Sequence, residues 1–306
     1  MKGRFRSGRS ALPAAMALGL SCAQPASPEP SSDGPPPPAE KHADPTPTAG
    51  IVTWTTLEPG LDFAGVLLPT PSFAGDSTLR VLRVDPTRWD LKLEMASETG
   101  QTHTAEGWLN ATGAVAAINA AMFGADNRQG LGWMSTAHHV NNDHWAAGQQ
   151  SLLVADPLHS GLAPFHLFNL GCESRADAEA DYGTRVQSIR MLGCAGENVW
   201  SEQPRVWSAA LIGEDHTGRA LFLHVRSPYS MHALTDQLKA LPLDLRALHY
   251  GEGGPEATLA IRTPALAYTW VGSWETGFHE ADDNHTAWPV PNVIAVLPRA
   301  EGNAIP

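Results

Sequence analysis

The pattern of apolar and polar positions is most informative between residues 220 and 261. An apolar run from Ala220 to Arg226 predicts a buried strand. Four apolar residues then recur at helical spacing behind Ser230, a favourable N-cap residue, and Pro242 ends the pattern. The four positions of this one-faced helix are Met231, Leu234, Leu238 and Leu241. A second strand is predicted from Leu245 to Tyr250.

A right-handed crossover through this helix would lay the two strands parallel in one sheet, as a β-α-β unit over residues 220–251. Their carboxyl ends then lie at one edge, where Arg226 approaches the loop Gly251-Glu252-Gly253-Gly254. The glycines let the backbone turn sharply and approach a ligand without an intervening Cβ. We therefore expect a ligand site at this edge.

Shorter apolar runs, separated by glycine, proline and aspartate, predict further strands. Thr104 is expected to cap a short helix that ends near Asn110. The expected strands are Val52–Thr56, Leu61–Leu68, Leu79–Val84, Leu91–Met95, Ala114–Ala120, Leu152–Val154, His166–Phe168, Arg185–Met191, Val206–Ile212 and Val293–Val296. Strands outnumber helices, so the predicted fold class is α+β, with mixed β-sheet in two packed layers and a few helices.

The amino-terminal segment has the pattern of an export signal. Basic residues precede the apolar segment Ala11–Leu20, which is too short to span a bilayer. It ends in Gly19-Leu20-Ser21-Cys22, which resembles a bacterial lipobox. Residues 1–21 are therefore predicted to be a lipoprotein signal peptide and Cys22 the lipidated residue, with a plain secreted protein as the alternative. We expect a periplasmic or cell-surface lipoprotein that meets the membrane only through its lipid.

Composition divides the remaining chain into a tether and one domain. Residues 22–50 are rich in proline, serine, alanine and acidic residues, which predicts a disordered tether, and residues 51–306 form the folded domain. The net charge is −12, and it becomes −16 after signal cleavage because residues 1–21 hold four basic residues and no acidic one. A chain this acidic argues against nucleic acid as a partner, because the phosphates would be repelled.

Two cysteines remain once Cys22 carries lipid. Cys172 and Cys194 form an even pair in an oxidising compartment and flank one segment, which predicts a disulfide. Such a bond would stabilise the fold by about 3 kcal/mol on the chain-entropy account. Two unpaired buried thiols are the alternative.

Several stretches together resemble a known family, the phosphodiester glycosidases, over roughly residues 61–297. The first is the turn Leu241-Pro242-Leu243, followed by a strand and an acidic residue with two glycines. Residues 117–123, Ala-Ile-Asn-Ala-Ala-Met-Phe, resemble the family's Asn-Ala-Gly-aromatic motif. Residues 186–191 are similar to a Gln-x-x-Arg strand, and residues 207–219 to a strand with its hairpin. The sequence EGGPEA at 252–257 resembles a bacterial branch of unknown activity.

The resemblance implies hydrolysis of a sugar-1-phosphodiester, as in the member that removes N-acetylglucosamine to uncover mannose 6-phosphate. Glu252 would act as base or nucleophile with Glu256 assisting, because glycoside cleavage uses carboxyl groups. Arg190 and Arg226 would pair with the phosphate, since guanidinium binds phosphate in two parallel hydrogen bonds. The predicted substrate-binding residues are Asn119, Gln187, Ser188, His224, Gly253 and Gly254. Salt bridges for the arginines and a structural hydrogen bond for Asn119 are the alternatives.

A second hypothesis is an inactive, lipid-tethered envelope protein that binds a glycan or phosphoglycan. It follows from departures from the family pattern, such as Glu252 for aspartate and Ala209 for arginine. Tryptophans would then stack on sugar rings. Neither hypothesis requires a metal or cofactor, and none is predicted. Two polar loops with histidines, 138–144 and 279–285, are interpreted as solvated loops, with a metal site as the alternative.

Overall fold

Strands far outnumber helices in the structure, a computed structural model that describes residues 49–299. The strands are β1 (Thr55–Glu58), β2 (Leu61–Leu67), β3 (Thr78–Val84), β4 (Trp89–Met95), β5 (Ala116–Asn119), β6 (Met134–Ser135), β7 (Val140–Asn142), β8 (Ser151–Pro157), β9 (Phe165–Asn169), β10 (Tyr182–Ser188), β11 (Trp207–Asp215), β12 (Ala220–Tyr229), β13 (Leu245–Gly253), β14 (Thr258–Arg262), β15 (Ala267–Val271) and β16 (Asn292–Pro298). The predicted signal peptide, Cys22 and nearly all of the predicted tether lie outside the described residues.

The described helices are short, and all but the first begin after a side chain that caps them. They are α1 (Ala96–Thr99), α2 (Ala105–Thr112), α3 (Arg175–Asp181) and α4 (Met231–Ala240), with a single 3-10 turn at Gly254–Glu256. Thr104 accepts a hydrogen bond from Gly107 N, and Ser230 accepts one from Ala233 N, so both predicted N-caps are confirmed. Within the described residues, no helix has the length and apolar character needed to cross a membrane.

The strands form three antiparallel sheets. The first has the order β1-β2-β3-β12-β11-β13, the second β7-β6-β10-β8-β9 and the third β15-β14-β5-β16-β4. Because all three sheets are antiparallel, the prediction of mixed sheet is wrong, and the prediction of two packed layers is not confirmed. Many of the paired strands are far apart in sequence, and such long-range pairing is not encoded in local patterns.

The predicted crossover between β12 and β13 is present, but with a strand inserted. Both strands pair antiparallel with β11, so they run parallel to each other in one sheet with β11 between them. Helix α4 connects them and buries Met231, Leu234 and Leu238 against the sheet. The carboxyl end of β13 continues directly into the 3-10 turn, so the glycine-rich segment leaves the sheet edge as a tight turn.

One apolar core is shared by all three sheets. Phe222 of the first sheet, Leu153 of the second and Ile118 of the third belong to the same buried cluster. On β12, Leu221 and Leu223 belong instead to the cluster beneath α4, because successive side chains of a strand point to opposite faces. This strand is therefore buried on both faces, which explains its unbroken apolar sequence.

The predicted disulfide between Cys172 and Cys194 is present. It joins the segment that follows β9 to the segment that follows β10. Arg190, in the segment after β10, donates a hydrogen bond from Nη1 to Oδ1 of Asn169, the last residue of β9, at 2.6 Å. The disulfide and this hydrogen bond therefore both connect the end of β9 to the chain that follows β10.

Candidate active site

A cleft of about 300 Å³ opens at the carboxyl end of β13. Three glutamates and three aromatic side chains make up most of its wall. It is lined by Met122, Phe123, Arg205, Trp207, Tyr250, Glu252, Gly253, Glu256 and Glu275. Such a concave site with a few converging polar groups is typical of small-ligand binding.

A β-bulge aims Glu252 at this cleft. Ala210 pairs with Glu252 while its neighbour Leu211 pairs with Tyr250, so Gly251 is the extra residue. A Cβ on Gly251 would lie 2.7 Å from Ala210 O, which leaves room for glycine only. The carboxyl oxygen Oε1 of Glu252 accepts a hydrogen bond of 2.9 Å from Gly253 N. The bulge and this hydrogen bond therefore hold the Glu252 side chain in the wall of the cleft.

Glu256 is positioned by an amide on another sheet. It ends the 3-10 turn, and its backbone carbonyl accepts a hydrogen bond of 3.1 Å from Asn119 Nδ2. Asn119 Oδ1 in turn accepts one of 2.8 Å from Thr258 N. The buried Asn119 therefore connects β5 to the carboxyl end of the turn and the start of β14, and orients Glu256 without lining the cleft itself.

The third acid, Glu275, comes from the loop after β15. This loop lies against the glycine-rich turn, because a Cβ on Gly272 would meet Gly254 O at 2.0 Å. A backbone bridge to Trp207 fixes Glu275 beside β11. Its Oε1 atom lies 3.8 Å from Arg205 Nη2, and the Arg205 side chain is 57% exposed. This ion pair is therefore loose and screened by solvent.

The three carboxyl groups all have raised pKa values. Burial raises the pKa of Glu252 to about 8, and Glu256 and Glu275 add to the rise, while the backbone N–H groups of Gly253 and Phe123 oppose it. Burial is also the main cause of the raised pKa of Glu256 and of Glu275. Glu252 is only partly exposed and lies among other acids, so it keeps its proton at neutral pH.

Comparison with known proteins decides the family. The model of the phosphodiester glycosidase family matches residues 112–297, a range that contains every residue lining the cleft. The chain belongs to the phosphodiester glycosidase family. No curated protein has a sequence that matches this one.

Two solved structures have a fold similar to that of this chain at low sequence identity. One is the catalytic domain of zebrafish N-acetylglucosamine-1-phosphodiester alpha-N-acetylglucosaminidase, auto-inhibited by its pro-peptide, at 12% identity and a TM-score of 0.55. The match covers 81% of this chain and 88% of that one. The other is a hypothetical protein from Synechocystis at 11% identity and a TM-score of 0.54, covering 81% of this chain and 64% of that one. Both support the fold alone.

Glu252 lines the cleft, whereas Asn119, Arg190 and Arg226 do not. Arg226 instead forms an ion pair with Asp282, at 2.8 Å between Nε and Oδ1, and donates to Asn284 O at 2.7 Å. Arg190 is engaged with Asn169. The two arginines predicted to pair with the phosphate therefore do not line this cleft, and the salt-bridge alternative describes Arg226. Arg226 holds the loop that carries Glu275.

The other predicted substrate-binding side chains are scaffold residues. Ser188 Oγ donates to Tyr250 O at 2.6 Å, and His224 lies fully buried with Nε2 3.3 Å from Ala257 O. Gln187 bonds with the backbone of Trp133, Ala146 and Gln149. These side chains support the elements around the cleft and do not line it.

Neighbouring side chains of the cleft leave no room for a Cβ at Gly253 or Gly254. A Cβ on Gly253 would meet the Tyr250 hydroxyl at 2.4 Å, and one on Gly254 would meet Glu275 Oε2 at 2.4 Å. Gly254 also has a φ of 64°, in the left-handed region that favours glycine. The predicted sharp turn is present, and the close approach is made to neighbouring side chains of the cleft.

Sequence reasoning missed Arg205, Tyr250 and Glu275 as lining residues. Trp207 and the pair Met122-Phe123 lie in stretches that resemble family motifs, so the resemblance carried a signal for them. Glu275 has no such signal, because it lies in an irregular loop. In the residues that the structure describes, no three His, Cys, Asp or Glu side chains are grouped so that they could hold a metal ion.

Proposed function

We propose that this protein is an extracytoplasmic hydrolase that cleaves the glycosidic bond of a sugar-1-phosphodiester. The observation that carries the proposal is the cleft of three glutamates inside the region matched by the family. Glycosidases use a pair of carboxyl groups on either side of an oxocarbenium-like centre. Glu252, Glu256 and Glu275 supply such groups from two adjoining segments.

The raised pKa of Glu252 suggests a different role from the base or nucleophile that the sequence predicted. A carboxyl group that is protonated at neutral pH donates a hydrogen bond, and it does not repel an anionic phosphate. We assign Glu252 as the general acid that transfers its proton to the phosphate oxygen of the leaving group as the glycosidic bond breaks. Arg205, which is exposed and only loosely paired with Glu275, supplies the positive charge for the same phosphate.

The second carboxyl group then acts on the sugar. Glu256 is held through its own backbone by Asn119, so it is the better positioned of the two remaining acids. As a carboxylate it stabilises the developing positive charge at the anomeric carbon or activates the attacking water. The walls formed by Phe123 and Trp207 present aromatic surface to the sugar ring.

The test is hydrolysis of a panel of sugar-1-phosphodiesters by purified protein, with identification of the released sugar. Glu252→Gln is expected to lower kcat by roughly 10²–10⁴, the usual contribution of a positioned acid or base. Glu202→Gln is the matched control, because Glu202 is 87% exposed and does not line the cleft. Turnover that Glu252→Gln leaves unchanged would rule out this site. Tight binding of intact diesters without product would favour a glycan-binding protein.

A further inference from the structure

The candidate active site holds more carboxyl groups than the binding and hydrolysis of a phosphodiester require. Among the nine described residues that line the cleft, three are glutamates and only Arg205 is basic. Arg205 is already 3.8 Å from Glu275. A sugar-1-phosphodiester brings one further negative charge, which Arg205 can balance. The charge on the remaining carboxylates is then left without a compensating group from the lining.

The same cleft offers aromatic surface beside these carboxylates. Tyr250 is buried and packs against Trp200, with ring centroids 5.2 Å apart, so its ring is firmly held. Trp207 lies on the same side of the Gly253 backbone as Tyr250, since a Cβ on Gly253 would meet the Tyr250 hydroxyl at 2.4 Å and Trp207 Cδ1 at 2.6 Å. The guanidinium carbon of Arg205 lies 6.0 Å from the Trp207 centroid, at the outer limit of a cation–π contact.

We propose that the cleft binds a positively charged ammonium group of the substrate, against the carboxyl groups of Glu256 and Glu275 and the rings of Trp207 and Tyr250. The inference rests on the proposed function and specifies its substrate class as a zwitterionic glycosyl phosphodiester. Carboxylates next to aromatic rings are the surroundings that ammonium groups prefer in proteins. The ammonium group belongs either to the alcohol esterified on the phosphate or to an amino sugar whose nitrogen is unacylated.

The pH dependence of ligand binding identifies an ammonium site without a measurement of turnover. An ammonium group favours the ionised form of the Glu256 and Glu275 carboxyl groups, whose pKa values are raised by burial, so binding of an ammonium group that keeps its charge releases protons and strengthens as pH rises. An anion without an ammonium group favours the protonated form of Glu252, and its binding weakens as pH rises through about 8. The two classes of ligand are therefore distinguished by the sign of their pH dependence.

The experiment is calorimetric titration of the full protein with matched probes. Phosphocholine is compared with 3,3-dimethylbutyl phosphate, which has the same shape without the charge, and methyl glucosaminide with methyl N-acetylglucosaminide. We expect one ammonium-bearing probe to bind roughly tenfold more tightly than its partner without the ammonium charge, the size of a partly desolvated cation–π and carboxylate contact. The pair that shows the preference identifies the source of the ammonium group.

Glu275→Gln should reduce that preference to about twofold, because it removes one of the two carboxylates, whereas the exposed control Glu202→Gln should keep it. Equal affinity within both pairs, or no binding of any probe, overturns the inference even if the protein hydrolyses sugar phosphodiesters that lack an ammonium group. A clear preference for the charged probe without hydrolysis of any phosphodiester supports the ammonium site and refutes the proposed hydrolysis.

Discussion

The carboxyl group of Glu275 lies against the backbone of Gly254, so closely that a Cβ atom at position 254 would come within 2.4 Å of Glu275 Oε2. Gly254 belongs to the turn that carries Glu256, and Glu275 lies in a loop 21 residues further along the chain. The absence of a side chain at Gly254 therefore brings the third acid into the cleft. This contact ties the glycine-rich turn to a loop that has no recognisable motif.

The substitution Gly254→Ala is expected to abolish most activity while the protein stays folded. Gly254 has a φ of 64°, a conformation that costs a residue other than glycine about 1–2 kcal/mol of stability, and the added methyl group displaces the Glu275 carboxyl group. Gly277→Ala is the matched control, because Gly277 has a φ of 83° and nothing within 4 Å of its Cβ position. Thermal unfolding and turnover should separate the two variants. Equal activity losses in both would mean that backbone strain, and not Glu275, is responsible.

Glu252 should make the protein less stable at higher pH. Its pKa is about 8 in the folded protein and 4.5 as the reference value, so the folded state holds the proton more tightly. Its stabilising effect is complete below pH 4.5 and is lost as pH rises to about 8. Glu252→Gln should therefore raise the free energy of unfolding by about 1–3 kcal/mol at pH 8 and change little at pH 4. Urea denaturation at both pH values measures this, and a destabilised variant at pH 8 would contradict it.

The dependence of catalysis on pH follows from the same group. If protonated Glu252 contacts the phosphate, kcat/KM should fall as pH rises through about 8. The measurement is a pH–rate profile on one phosphodiester, with binding of the substrate followed separately. A profile that instead rises through pH 8 would assign Glu252 the role of base.

A buried ionic network outside the cleft should control the stability of the sheet packing. Glu214, on β11, accepts hydrogen bonds from Leu167 N at 2.6 Å and from Arg246 Nη2 at 2.7 Å, and contacts His166 Nδ1 at 3.1 Å. Glu214→Gln should lower the free energy of unfolding by about 3 kcal/mol, because it removes the buried counter-charge of Arg246 and His166 and leaves them only the partly exposed Glu173. Glu179→Gln, which alters an exposed pair with Arg175, should cost less than about 1 kcal/mol.

The network also sets a pH window for stability. Burial lowers the pKa of His166, but hydrogen bonds to Glu173 and Glu214 outweigh it and raise the pKa to about 9. The contribution of His166 to the free energy of unfolding is therefore complete below pH 6.5 and is lost as pH rises to about 9. The pKa of Glu214 is lowered because its hydrogen bonds to His166 and Arg246 outweigh burial, so its contribution is lost below pH 4.5. Comparing the wild type with Glu214→Gln at pH 4, 6 and 10 should show the largest difference at pH 6.

Local signals in the sequence predicted local structure well. Ser230, the helical spacing of Met231 and Leu234, and the apolar run of β12 each describe an element that forms as expected. The placement of β11 between β12 and β13 was not predictable in this way, because strand pairing depends on contacts between distant segments. Sheet order and the number of layers are therefore the parts of the fold that the local patterns left undetermined.

The site was predicted in part for the same reason. Glu252, Glu256 and the two glycines lie in one short segment, so their proximity follows from the sequence alone. Arg226 looked equally well placed at a strand end, yet Asp282 and Asn284 come from a distant loop and occupy its guanidinium group. Glu275 enters the cleft on that loop. Which charged group faces a cleft and which is paired elsewhere is decided by such long-range contacts.

The most direct test of the central claim is to locate the bond that the protein cleaves, by hydrolysing a sugar-1-phosphodiester in water enriched in ¹⁸O. A glycosidase breaks the bond between the anomeric carbon and oxygen, so the label should appear in the released sugar and be absent from the phosphate monoester. Mass spectrometry of both products reads this out, with Glu252→Gln as the background control. Label in the phosphate, or product formed equally by the variant, would contradict the account.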